Sequence, residues 1–147
     1  MRIEPLTAIE PQWLAMRRAL WPDGGTDAQL RHEMSAQLAD PATCVQFVAR
    51  AGERALGFAE AAVRRDAVNG ASASPVAFLE GLYVVPDARR QGVARRLVQA
   101  VADWALAAGF TELVSDALIE NAVSHAMHRA LGFEEIERVV CFRRALP

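Results

Sequence analysis

Apolar residues change their spacing repeatedly along the chain, and the changes mark out ten elements. Residues 2–6 read as a short strand. Pro11 opens a helix in which Trp13, Leu14, Met16, Arg17 and Leu20 fall at mixed helical spacing, and Pro22 with the Gly24-Gly25 pair stops it. Thr26 or Asp27 caps a second helix over residues 28–39, where Leu30, Met34 and Leu38 recur one turn apart until Asp40-Pro41 ends it.

Residues 43–50 and 55–65 read as strands, joined by a hairpin loop at Ala51-Gly52-Glu53-Arg54, so antiparallel pairing is expected. Residues 76–85 (VAFLEGLYVV) form the most apolar strand, as a central strand covered on both faces should be, yet they contain Glu80 and Gly81. Residues 93–108 predict a helix with Val93, Leu97, Val98, Val101, Trp104, Ala105 and Ala108 on one stripe and Gly109 as its C-terminal cap. A strand over 111–118, a helix from the cap Asn121 to Leu131, and a final strand over 135–143 with Ile136, Val139, Val140 and Phe142 complete the chain. The order β-α-α-β-β-β-α-β-α-β implies an α/β fold, an α+β mixed sheet rather than a regular doubly wound one, and no G-x-G-x-x-G follows any strand.

With 147 residues, 52% hydrophobic and 23% charged, the chain fits one domain spanning residues 1–147. A chain of this size buries about two-thirds of its unfolded surface and needs no staple, so Cys44 and Cys141 read as core thiols. All 16 basic residues are Arg. A P-loop lysine, a Schiff-base lysine and a pyridoxal-phosphate site are thereby excluded. The net charge of −2 argues against a nucleic-acid partner. Arg2, Glu4 and Glu10 interrupt any leader-like apolar run, and no stretch approaches a membrane span, so no membrane partner and a cytoplasmic location are expected. His125 and His128 lie three apart on a helix without a third ligand at suitable spacing, and no metal is expected.

The segment Pro86–Arg96 (PDARRQGVARR) lies between the strongest strand and the strongest helix. A turn there points backbone N–H groups above the sheet; Gly92 and Ala94 leave room for close approach, and Arg89, Arg90, Arg95 and Arg96 add positive charge. Such a turn suits a diphosphate, whereas the plain alternative is a solvated basic cluster.

Arg89, Gly92 and Ala94 form R-x-x-G-x-A after a strand closed by Pro86, and this resembles the acetyl-CoA signature of the GCN5-related N-acetyltransferases (GNAT). The element order is similar to that family's fold, and Asn121–Phe133 (NAVSHAMHRALGF) resembles its asparagine-started helix. More narrowly, Leu20-Trp21-Pro22, Val68-Asn69-Gly70, Ser74-Pro75-Val76, Phe78-Leu79-Glu80-Gly81, Ser115-Asp116 and Gly132-Phe133-Glu134-Glu135 resemble the aminoglycoside 6'-N-acetyltransferases.

That resemblance implies acetyl-CoA as co-substrate, a polycationic amine as acceptor and a homodimer paired through C-terminal strands. It implies a fold whose bulged central strand splays from the next, so that the cofactor arm enters between them. Gly81 in mid-strand suggests the bulge itself, which would free ladder groups of Leu82, Tyr83 and Val84 for the pantetheine amides, with the Val84 N–H facing the developing oxyanion. Arg89, Arg90, Gln91, Gly92, Val93, Ala94 and Arg95 would hold the diphosphate, and Asn121 would bond the cofactor arm. Trp21, Glu80, Asp116 and Glu137 fall at aminoglycoside-contact positions, although Trp21 also reads as a core residue.

Glu80 and Asp116 are carboxylates in apolar strands, each requiring a wet cleft or a partner such as an internal Arg, and either could relay the amine proton. His128 stands where many relatives carry the tyrosine that protonates the leaving thiolate; imidazole can do this, or can simply pack beside the cofactor. Ala67 replaces a pocket tyrosine of relatives, and Ala117, Leu118 and Ile119 replace a more polar stretch. The expected activity is 6'-N-acetylation of aminoglycosides, conferring antibiotic resistance. The alternatives are a GNAT enzyme for a polyamine, another small amine or a peptide N-terminus, and a non-catalytic acetyl-CoA sensor.

Overall fold

The computed structural model describes residues 1–66 and 68–147, so the reading of Ala67 lies outside the described residues. The elements are β1 (Arg2–Pro5), α1 (Pro11–Leu20), α2 (Asp27–Leu38), β2 (Cys44–Ala51), β3 (Arg54–Arg64), β4 (Val76–Val84), α3 (Val93–Ala107), β5 (Leu113–Ser115) and α4 (Ala122–Ala130). The sheet order is β1-β2-β3-β4-β5, antiparallel throughout except for the parallel β4–β5 pair.

Period-two alternation divides the core between the two faces of the sheet. Val48 and Phe58 turn toward α1 and α2, joining Trp13, Leu14, Met16, Leu30 and Met34. Their neighbours Ala49 and Ala59 turn the other way, onto the α3 stripe of Val93, Leu97, Val98 and Val101. The small alanines let α3 approach closely, while the large residues fill the opposite face. Thr26 begins α2 with a capping box: its side chain accepts from the Gln29 N–H and the Gln29 side chain accepts from the Thr26 N–H.

One carboxylate lies inside this core. Glu60 of β3 is buried, accepts from Trp13 Nε1 at 3.0 Å and Gln37 Nε2 at 3.2 Å, and pairs with Arg17, whose Nε lies 2.8 Å away. Burial raises its carboxyl above the ordinary range, opposed by the Arg17 charge and the donated hydrogen bonds. The network fastens α1 and α2 to β3.

The bulge is present, one residue earlier than the glycine suggested. Glu60 pairs with Gly81 and Ala61 with Leu79, so Glu80 is the extra residue of β4. The splay is also present: β4 pairs with β5 only over Ala77–Leu79, against Leu113–Ser115.

Three expectations need correction. The strand over 111–118 shrinks to Leu113–Ser115, because the chain leaves β4 after Ser115 and a strand needs a ladder partner. Residues 135–143 form no strand, since no described strand pairs with them; Val140 and Phe142 are 75% and 93% exposed. Cys44 is half-buried and Cys141, on that unpaired tail, is exposed, so neither is a core thiol.

Candidate functional site

The fork between β4 and β5 is built by ladder parity. In an antiparallel pair, residues alternate between those that bond the partner strand and those that face away. The Val85 N–H donates to the Leu56 carbonyl at 2.9 Å, so Val84 and Leu82 point their backbone groups away from β3, into the gap left by β5. Tyr83 faces β3 instead; its ladder groups are not free, which corrects that part of the expectation. Its ring packs against Phe58 and lies 5.6 Å from the Arg89 guanidinium. The Val84 carbonyl accepts from Arg89 Nε at 2.9 Å.

Above the fork, Pro86–Ala88 form a single 3-10 turn and the chain then enters α3 through two left-handed residues, Arg90 (φ 62°) and Gly92 (φ 82°). Gly92 is the N-cap and offers no side chain, so the N–H groups of the first turn of α3 receive no cap. Backbone of this kind forms an anion-binding concavity. A methyl group built on Gly92 would meet no protein atom within 4 Å, so the glycine borders open space.

The arginines around the turn are anchored by carbonyls, which accept hydrogen bonds without cancelling charge. Arg89 donates to Val84, Arg95 to Ala130 at 2.9 Å, and Arg96 to Met1 at 2.8 Å. Arg90 remains exposed. Gln91 donates to the Asp87 carbonyl at 3.1 Å, Val93 buries its side chain in the core and offers backbone alone, and Ala94 is half-buried beside it. Asn121 caps α4 by accepting from the Ser124 N–H at 3.1 Å.

On the other wall lies a cavity of about 1100 Å³ bordered by Arg64, Asn69, Ser115, Asp116, His128 and Glu137. His128 is held at both ring nitrogens: Nδ1 lies 2.7 Å from the Ser124 carbonyl oxygen and Nε2 lies 2.9 Å from Ser115 Oγ. Phe133 meets the ring edge-on at 5.3 Å.

Glu80 and Trp21 border a neighbouring groove of about 690 Å³ together with Glu33, Asp23 and Cys44. Glu80 is bound by both oxygens to Arg64, at 2.8 and 2.7 Å, and so has the internal arginine partner that was one of its two readings. Arg64 also lies 3.5 Å over the Phe78 ring, and its pKa is raised first by Glu80 and further by the Asp116 charge. This one cation therefore links the two acidic positions. Trp21 is half-buried, edge-on to Phe58, and covers Gly81 so closely that a methyl there would lie 2.6 Å from Cη2. It is both a packed residue and a groove wall.

The structure thus brings Asp116, Glu137 and His128 to one cavity, and Glu80 with Trp21 to the adjoining groove. Sequence reasoning missed Arg64 and Ser115. Arg64 is visible only as a charge ending β3, and its partner depends on the bulge. Ser115 stood out only as the neighbour of Asp116.

The pattern of the Acetyltransferase (GNAT) family matches residues 9–133. The chain belongs to that family. This GNAT chain is 47% identical over 146 residues to an aminoglycoside N(6')-acetyltransferase type 1 of Acinetobacter baumannii, covering 98% of each. Its structure is similar to the apo crystal structure of an aminoglycoside antibiotic 6'-N-acetyltransferase from Acinetobacter haemolyticus, with TM-score 0.91, 42% identity and full coverage of both chains. It is also similar to AAC(6')-Iy solved in complex with the bisubstrate analogue CoA-S-monomethyl-acetylneamine, with TM-score 0.90 and 40% identity over 99% of this chain and 98% of that one.

Proposed function

We propose that residues 1–147 form a single N-acetyltransferase domain that transfers acetyl from acetyl-CoA to the 6'-amino group of aminoglycosides. The observation that carries this reading is the β4–β5 fork beneath an uncapped, arginine-ringed helix start, in a chain similar over nearly its whole length to an enzyme holding CoA and an aminoglycoside in one analogue. The concavity at Arg90–Gly92 receives the diphosphate, and the outward groups of Leu82 and Val84 receive the pantetheine amides in the manner of an added strand. Leu82 has the first outward N–H beyond the bulge, nearest the fork's apex, and so is placed for the oxyanion more closely than Val84.

Asp116 is exposed in the cavity and, with Glu137, binds ammonium groups of the acceptor. Glu80, engaged by Arg64, shapes the same field through its partner. Attack by the neutral amine places negative charge on the carbonyl oxygen; collapse breaks the C–S bond, and the thiolate takes a proton supplied from His128. The reading keeps the cytoplasmic location expected from the sequence.

The apolar tail supports a homodimer: Val139, Val140, Phe142 and Leu146 are exposed in one chain, a form that a second copy's strand would cover. Free thiol released from acetyl-CoA in the presence of kanamycin or tobramycin tests the function. Turnover dependent on the drug is expected, and a rate at the blank with several 6'-amino drugs would reject it.

A further inference from the structure

The hydrogen bonds of His128 point to a further residue in the proton path, and this inference rests on the acetyl-transfer reading above. A carbonyl oxygen only accepts, so the Ser124 carbonyl at 2.7 Å requires a hydrogen on His128 Nδ1. Nε2 is then the nitrogen that exchanges a proton, and the group facing it is the Ser115 hydroxyl at 2.9 Å. Phe133 closes one side of the ring, and Ser124 Oγ at 3.3 Å adds a second contact to Nδ1. Among the described residues, Ser115 is thus the hydroxyl placed to take a proton from this imidazole.

Ser115 occupies the place where such a relay is useful. It is the last residue of β5 and pairs with Leu79, the last rung before the strands part. Its Oγ lies 3.4 Å from the Leu79 carbonyl oxygen, so the hydroxyl can turn between donating to that carbonyl, donating to Nε2 and donating into the fork. The side chain is half-buried and borders the cavity shared by Asp116 and Glu137.

We propose that Ser115 is the terminal proton donor to the departing thiolate and that His128 recharges it. As the C–S bond breaks, its electron pair goes to sulfur; sulfur takes the Ser115 hydroxyl proton, and Ser115 Oγ takes the Nε2 proton of the imidazolium. His128 is left neutral with Nδ1–H on the Ser124 carbonyl, and the proton lost by the acetylated amine restores the imidazolium. Amine and acetyl-CoA thus become amide and CoA thiol with no other reactant.

The test uses the full chain with acetyl-CoA and tobramycin. Ser115→Ala should lower the single-turnover rate of acetyl transfer by about 100-fold while CoA affinity by calorimetry stays at the wild-type value. Ser115→Thr, which keeps the hydroxyl, should recover most of that rate, and Ser115→Ala with His128→Ala should be no slower than the worse single variant. In ¹⁵N NMR of the wild type, the neutral form of His128 should carry its proton on Nδ1, and Ser115→Ala should shift Nε2. A wild-type rate in Ser115→Ala, a loss confined to binding, or a Ser115→Thr variant as slow as alanine would overturn the relay. No turnover in the wild type would overturn the acceptor reading and the relay with it, whereas turnover unaffected by Ser115→Ala removes the relay alone.

Discussion

Gly92 allows the cost of a substitution to the fold to be separated from its cost to a ligand. Its φ of 82° is left-handed, and alanine there costs about 1 kcal/mol of conformational strain. A methyl group meets nothing within 4 Å, so no steric contribution from the protein is added. About 1 kcal/mol corresponds to a fall in Tm of roughly 2–4 °C in a chain of this size. If the diphosphate binds against the Arg90–Gly92 backbone, the same methyl occupies its approach and weakens one or two charge-assisted hydrogen bonds, each contributing about 1.5–3 kcal/mol. CoA affinity should then drop by roughly 10-fold to 100-fold. Gly109, at the opposite end of α3, supplies the control: its φ is 92° and its Cβ position is equally open, so Gly109→Ala should show the Tm loss with CoA affinity intact. Scanning calorimetry and CoA titration of both variants decide the matter. Equal CoA affinity in Gly92→Ala and wild type, with the Tm loss present in both variants, would refute the placement of the diphosphate.

Three other perturbations follow from the packing. Gly81→Ala puts a methyl 2.6 Å from Trp21 Cη2, so the ring must move; a destabilisation of about 1–3 kcal/mol and a raised KM for the amine, with CoA affinity unchanged, are expected from melting and steady-state kinetics. Burial raises the Glu60 carboxyl above its ordinary 4.5, so the folded state holds that proton more tightly than the unfolded one, and this contribution is complete below 4.5 and lost as pH climbs through the raised folded value. The stability of wild type relative to Glu60→Gln should accordingly fall as pH rises above the ordinary glutamate value of 4.5, and a difference that grows with pH in calorimetric scans would contradict the assignment. Phe142→Asp charges the most exposed apolar residue of the tail, and sedimentation should show a shift from dimer toward monomer; an unchanged mass distribution would argue against pairing through this segment.

The sequence made the fold legible where one local signal governs each element. The stripe of α3 from Val93 to Ala105 and the caps at Thr26 and Asn121 are of that kind. The turn before α3 was legible because glycine at a left-handed N-cap and arginines in fixed spacing act over a few residues. What escaped depends on pairing between distant segments. Gly81 signalled a bulge, but only the register with β3 makes Glu80 the extra residue and gives it to Arg64. Ser115 reaches His128 because β5 ends at that rung, which no periodicity within 111–118 announces. Glu60 falls unremarked within the strand read over 55–65, because its partners Trp13, Arg17 and Gln37 come from two helices far earlier in the chain. The tail over 135–143 has strand composition without a strand, because composition supplies propensity and only a neighbour supplies hydrogen bonds.

The guanidinium groups of Arg89, Arg95 and Arg96 hold β4, α4 and the first residue of the chain by their carbonyls, around the turn that opens α3. A guanidinium presents five N–H groups in a planar fork, so it can give one to a carbonyl and keep others for a second acceptor, whereas an ammonium is a single compact point charge. Clasps made in this way tie three distant segments to one bend while leaving its positive charge uncancelled.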